Sequence, residues 1–127
     1  MAPQRNTNEI SGDVVDAAMQ VHRELGPGLL ESAYESCLAF ELLDRGIKAQ
    51  RQVELPVRYR GHLVEAGYRI DLLVEDRIIV ELKSVDHIAA IHQAQLLSYL
   101  KLAKKPIGLL INFNVKLLKD GIVRLAN

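Results

Sequence analysis

The chain has 127 residues, 49% of them hydrophobic, and its 16 Lys and Arg balance 16 Asp and Glu. That length holds one domain and excludes a second. The zero net charge excludes a protein that grips nucleic acid by bulk positive charge, so any such contact must be local. No apolar run is long enough to cross a membrane. The single cysteine, Cys37, excludes an internal disulfide and fits a reducing cytoplasm.

Residues 1–8 read as a frayed lead-in without the apolar stretch of a secretory leader. From Glu9 to Leu25, Ile10, Val14, Ala17, Ala18, Val21 and Leu25 recur at helical spacing. Gly26-Pro27-Gly28 breaks the pattern. A second helix is expected from about Leu30 to Asp44, with Cys37 as a small buried hydrophobe, and Gly46 closes it. Alternation of Val53, Leu55, Val57 and Tyr59 predicts a strand, which Pro56 places at an edge. Arg60-Gly61 predicts a tight turn, followed by strands over 62–74 and 78–83. These three strands form an antiparallel meander. A helix from about His87 to Ala103 is next, with Asp86 as N-cap, then a buried strand over 107–113 and a last strand over 122–125. The expected fold is a single α/β (α+β) domain of order α-α-β-β-β-α-β-β, a mixed sheet flanked by helices.

The stretch RIDLLVEDRIIVELKS, Arg69 to Ser84, carries two acids and a lysine inside apolar strands. A two-residue loop would send Asp71 and Glu81 to opposite faces, because side chains alternate along a strand. A loop of Glu75-Asp76-Arg77 instead pairs Val74 with Ile78 and Leu72 with Val80, and sets Asp71 opposite Glu81. Ile70, Leu72, Val74, Ile78, Val80 and Leu82 then share an apolar face. Arg69, Asp71, Leu73, Ile79, Glu81 and Lys83 share the other. Burial selects this register. Continued through the Arg60-Gly61 turn, it places Gln52 beside Arg69. Two carboxylates facing each other repel, and a divalent cation such as Mg²⁺ or Mn²⁺ would offset that repulsion.

Asp71, nine further residues, and Glu81-Leu82-Lys83 resemble the PD-(D/E)XK nuclease signature, with Ile70 in place of the usual proline. Gly28-Leu29-Leu30-Glu31-Ser32-Ala33-Tyr34 resembles the GxxExxY motif of small bacterial proteins in that superfamily. Gln95 to Tyr99 resembles the QxxxY motif of its exonuclease-like members. The resemblance implies a restriction-endonuclease-like core and metal-assisted hydrolysis of phosphodiesters, with DNA as the expected substrate. It implies that Asp71, Glu81, Glu31 and the Leu82 backbone carbonyl hold Mg²⁺ or Mn²⁺, and that Lys83 positions or deprotonates the attacking water. Gln95 and Tyr99 would brace Lys83 or contact a phosphate, and Tyr34 would fix its helix against the site.

Other readings compete. A nuclease-like module without activity, binding nucleic acid or a protein partner, would suit the zero net charge. Hydrolysis of a small nucleotide would need a closed pocket over Asp71. The edge strand with Pro56 and the last strand offer surfaces for a homodimer. His87 and His92 are five apart, so no zinc site is expected, although His92 falls near Gln95 and the edge of the site. His22 and His62 read as surface or boundary residues. Lys101, Lys104 and Lys105 read as a solvated helix end, where positive charge is favourable.

Overall fold

The computed structural model describes residues 5–127. Helix α1 spans Thr7–Leu25. Its start is fixed by Asn6, whose Oδ1 accepts the Glu9 N–H at 2.8 Å while its amide donates to the Glu9 carboxylate at 2.7 Å. These bonds satisfy groups that a helix start leaves open. Asn6 thus caps α1, and Thr7 and Asn8 lie in its first turn; residues 1–4 of the expected lead-in lie outside the described residues. Gly26, at φ +69°, donates its N–H to the His22 carbonyl and ends the helix. Helix α2 follows at Glu31–Asp44.

Strands β1 (Ala49–Glu54), β2 (Val57–Tyr59), β3 (His62–Val64), β4 (Arg69–Val74) and β5 (Ile78–Lys83) come next. Helix α3 (Ala90–Ala103), strand β6 (Ile107–Asn112), a 3-10 turn at Leu118–Gly121 and strand β7 (Ile122–Ala126) complete the chain. The main sheet has the order β1-β4-β5-β6-β7, with β5 and β6 parallel and the other pairs antiparallel.

The expected meander is present as β1-β4-β5, but its first strand is cut at Leu55-Pro56. Proline has no N–H to donate to a ladder. Residues beyond it turn back as a separate hairpin, β2–β3, closed by the expected two-residue turn between Tyr59 and His62. The connection from Glu65 to Tyr68 lies outside both ladders and shifts β1 by two residues from the extrapolated register. Val53 therefore pairs with Ile70 and Glu54 with Arg69, and Gln52 lies near Asp71 rather than beside Arg69.

Both faces of the sheet are covered. Leu72, Val74, Ile78, Val80 and Leu82 pack with Ile107, Leu109 and Ile111 against α1 and α2. Leu73, Ile79 and Leu110 form a second core with Leu96, Tyr99 and Leu100 of α3. At Gly108 the helix comes so close that an added Cβ would sit 2.8 Å from a Leu96 methyl carbon. Ile70 departs from the expected alternation: it packs with the second core, not with Leu72. The change of side falls at Asp71, where the strand leaves its regular ladder. His22 is a correction of another kind. It is buried, and its Nε2 contacts the Val115 carbonyl at 2.8 Å.

Candidate functional site

The β4–β5 hairpin has the register derived from its alternation. Leu72 pairs with Val80, Leu73 with Ile79 and Val74 with Ile78. Glu75 and Asp76 take φ of +51° and +56°, and the Arg77 N–H reaches the Val74 carbonyl at 3.0 Å. Two successive positive φ values suit a hairpin turn of the primed kind, and Arg77 is the extra third residue of the loop.

Beyond Leu72 the backbone pairs stop and side chains take over. The Asp71 N–H donates to Glu81 Oε2 at 2.9 Å, and the Leu82 N–H donates to Asp71 Oδ2 at 2.9 Å. The two acids lie across from each other, as the register requires, but each carboxylate satisfies a backbone N–H that a regular ladder would have paired. Glu31, in the first turn of α2, accepts the Ser84 N–H at 3.2 Å, just past Lys83. Glu31, Asp71 and Leu82 line one cleft with Ser32, Glu35 and Gln52.

Glu81 is 6% exposed. Burial, and then repulsion from Asp71, pushes its carboxyl up from 4.5 to about 9. Both effects favour the protonated form of Glu81.

Two contributors were not read from the sequence. Glu35 is buried, and Arg51 binds it at 3.0 Å. Gln52 donates from the same Nε2 to Glu35 Oε1 at 2.5 Å and to Asp71 Oδ1 at 3.3 Å. Gln52 has φ +52°, a conformation that a side chain rarely adopts without a compensating contact. The bridge between two carboxylates is that contact. Glutamine supplies two N–H groups with no charge, so it orders the acids without repelling a cation.

Tyr34 is fully buried and stacks on Phe113 with ring centroids 4.4 Å apart. Its hydroxyl donates to the Gly26 carbonyl at 2.5 Å and accepts the Leu29 N–H at 3.1 Å. It thereby pins the loop that delivers Glu31. Gln95 donates to the Tyr99 hydroxyl at 3.2 Å. Burial raises the pKa of Tyr99, and Glu81 adds to the shift. Tyr99 meets Tyr68 edge-on at 5.9 Å.

The segment after Lys83 is held by Asn112, which is 1% exposed. Its Oδ1 accepts the Val85 N–H at 3.1 Å and its amide donates to the Val85 carbonyl at 2.9 Å. His92 has a structural role: its Nδ1 accepts the Ala89 N–H at 3.0 Å and caps α3. Ala89, not Asp86, is the N-cap, so α3 starts later than expected.

The donor chemistry suits a hard divalent cation. One oxygen each of Glu31, Asp71 and Glu81 is fixed by a backbone N–H. The second oxygens, of which Asp71 Oδ1 also accepts from Gln52, and the Leu82 carbonyl are hard oxygen donors of the kind Mg²⁺ and Mn²⁺ take. Among the described residues, no three His, Cys, Asp or Glu side chains are drawn together around a single ion position. Also among the described residues, no helix is long and apolar enough to cross a membrane.

A search of curated proteins and a search of solved structures each found no match. A sequence model of the PD-(D/E)XK nuclease superfamily matches residues 8–125. That span contains the paired acids of β4 and β5, Lys83, and the helices that carry Glu31, Gln95 and Tyr99. The chain belongs to the PD-(D/E)XK nuclease superfamily.

Proposed function

We propose that this chain is a Mg²⁺- or Mn²⁺-dependent nuclease that hydrolyses phosphodiester bonds of DNA, and that it is one of the GxxExxY proteins. The observation that carries the reading is the broken ladder at Asp71 and Glu81. Two acids meet there at the cost of two backbone pairs, and burial beside Asp71 favours the protonated form of Glu81. A fold that needed only stability would fill these positions with apolar residues, as it does at Leu72 and Val80.

Glu31, Asp71, Glu81 and the Leu82 carbonyl would hold the ion. When bound, it supplies positive charge to the phosphate oxygens and lowers the pKa of its water. Lys83, half-buried at the end of β5, would position the attacking water or help to deprotonate it. Gln95 and Tyr99, tied to each other, brace this side of the site and offer hydrogen bonds to a phosphate. Tyr34 acts at one remove, by fixing the loop before Glu31.

The test is cleavage of single- and double-stranded DNA and RNA with Mg²⁺ or Mn²⁺ by wild type, Glu81→Ala and Lys83→Ala. Metal-dependent cutting of DNA by wild type, lost in both variants, is expected. Equal cutting by all three would mean a contaminant. No cutting by folded, metal-bound wild type would favour a silent binding module.

A further inference from the structure

The zero net charge leaves a question that the acidic cleft sharpens. A polyanionic substrate must approach Glu31, Glu35 and Asp71, yet the chain has no excess of positive charge. The arginines of the cleft between the β2–β3 hairpin and the sheet, Arg58 and Arg69, share it with Glu54 and Glu65. Arg45, Arg51 and Lys105 are each within 3.0 Å of a carboxylate.

One groove differs. It lies between the end of α1 and the segment after β6, and Arg23, Lys116 and Lys119 line it with no carboxylate among its walls. All three side chains belong to exposed residues, and among the described residues none of them pairs with an acid. The acids next to them in sequence, Glu24 and Asp120, do not line the groove, and Glu24 is engaged by Gln20 at 3.1 Å.

The groove and a small cleft that shares Glu31 and Ser32 with the acidic one flank the same loop. Gly26 and Pro27 form one wall of the groove, while Leu29 and Leu30 border a cleft with Glu31 and Ser84. Tyr34 and His22 hold the two sides in place, through Gly26 and Val115 respectively. Lys83 and Asn112 end the parallel pair β5–β6 side by side. The segment carrying Lys116 and Lys119 leaves from that same edge.

We propose that Arg23, Lys116 and Lys119 form a phosphate track that holds the backbone of the nucleic-acid strand beyond the loop Gly26–Leu30 from the acids. The inference rests on the nuclease reading for the identity of the strand. Each contact neutralises one phosphate and releases counterions, so it raises affinity without reading sequence. It explains how a neutral chain can bind a polyanion through a local surface.

The test uses the full chain in Mg²⁺ on a Lys83→Ala background, so that the strand is not consumed. Fluorescence anisotropy with a labelled DNA oligonucleotide is read across a salt series. Lys116→Gln/Lys119→Gln should lower the slope of log affinity against log salt by about 1.4–1.8, and adding Arg23→Gln by a further 0.7–0.9 or so. Lys48→Gln/Lys101→Gln removes the same charge from exposed positions outside the groove and should leave the slope unchanged.

In the Lys83-intact chain, the groove variants should raise KM for long strands and leave kcat at saturation unchanged. Their cleavage of a dinucleotide should match wild type. An unchanged slope in folded groove variants, or an equal loss in the control pair, overturns the track. Strand binding that depends on the groove without any cutting by wild type would retain the track and overturn the nuclease reading. Cutting with groove variants that bind like wild type would do the reverse.

Discussion

The two ends of the β4–β5 hairpin obey different physics. At the turn, Leu72 to Val74 and Ile78 to Val80 form a regular ladder, buried on both faces. At the open end, Asp71 and Glu81 take the backbone N–H groups for themselves, and burial beside Asp71 raises the pKa of Glu81. The turn end is stabilised by apolar burial, which is insensitive to pH. The open end carries stored electrostatic cost, which a cation would relieve. Stability and the proposed cation site thus reside in adjacent parts of one hairpin.

The comparison can be broken most forcefully at the turn end. Leu72→Ala removes a side chain with no exposure and should cost about 3 kcal/mol, within the usual range of about 2–5 for buried leucine. Denaturant unfolding should show this loss with no change in its pH dependence.

At the open end, the sign of the pH effect follows from Glu81. Its carboxyl pKa is raised from 4.5 to about 9 on folding. The folded chain therefore binds one more proton than the unfolded chain between these values. Stability from this group is fully present below about 4.5 and is lost as pH rises toward about 9, at up to about 1.4 kcal/mol per pH unit. Glu81→Gln, whose amide oxygen can still accept the Asp71 N–H, should remove that slope. The metal-free variant should be more stable than wild type at pH 8, with the gap narrowing toward pH 5. Thermal melts without metal across this range would check it; a parallel decline in both proteins would contradict the assignment.

Tyr34→Phe keeps the stack on Phe113 and deletes two hydrogen bonds to the Gly26–Leu29 loop. It should cost about 1–2 kcal/mol and loosen amide protection in that loop while sparing β4 and β5, as hydrogen exchange would show. The smallest effect on stability is expected at Gln52. It is exposed, and Gln52→Leu should change the unfolding free energy by less than about 1 kcal/mol. Metal affinity should nevertheless fall by about 10–100-fold, as for other groups that orient a ligand from behind. Wild-type affinity in Gln52→Leu would reduce the bridge to a packing detail.

What was legible in the sequence follows the same division. Strict alternation fixed the hairpin register, since a slip by one residue would have buried charges. The spacing of Glu31, Asp71, Glu81-Leu82-Lys83 and the Gln95–Tyr99 pair carried the family. The rest of the polar row was only partly legible: alternation puts Lys83 with Asp71 and Glu81, but it sets Gln52 beside Arg69 instead of at Asp71. Gln52 reaches Asp71 only because residues 65–68 add length between the two ladders, and no local pattern shows how a loop is absorbed. Glu35 resembles any polar helix residue until Arg51 and Gln52 are folded onto it. Ile70 changes face because the acids interrupt its strand, a tertiary event that alternation cannot express. His92 and Asn112 act through single hydrogen bonds to the backbone, which leave no periodic trace.

The central claim is that the open end is a cation site held by a proton until the cation arrives. Calorimetric titration of the chain with Mg²⁺ and Mn²⁺ at pH 7.5, in buffers of different ionisation enthalpy, counts the protons released on binding. Wild type should bind the ion and release about one proton, and Glu81→Gln should bind more weakly and release none. Failure of the folded wild type to bind either ion would contradict the account, as would binding that releases no proton.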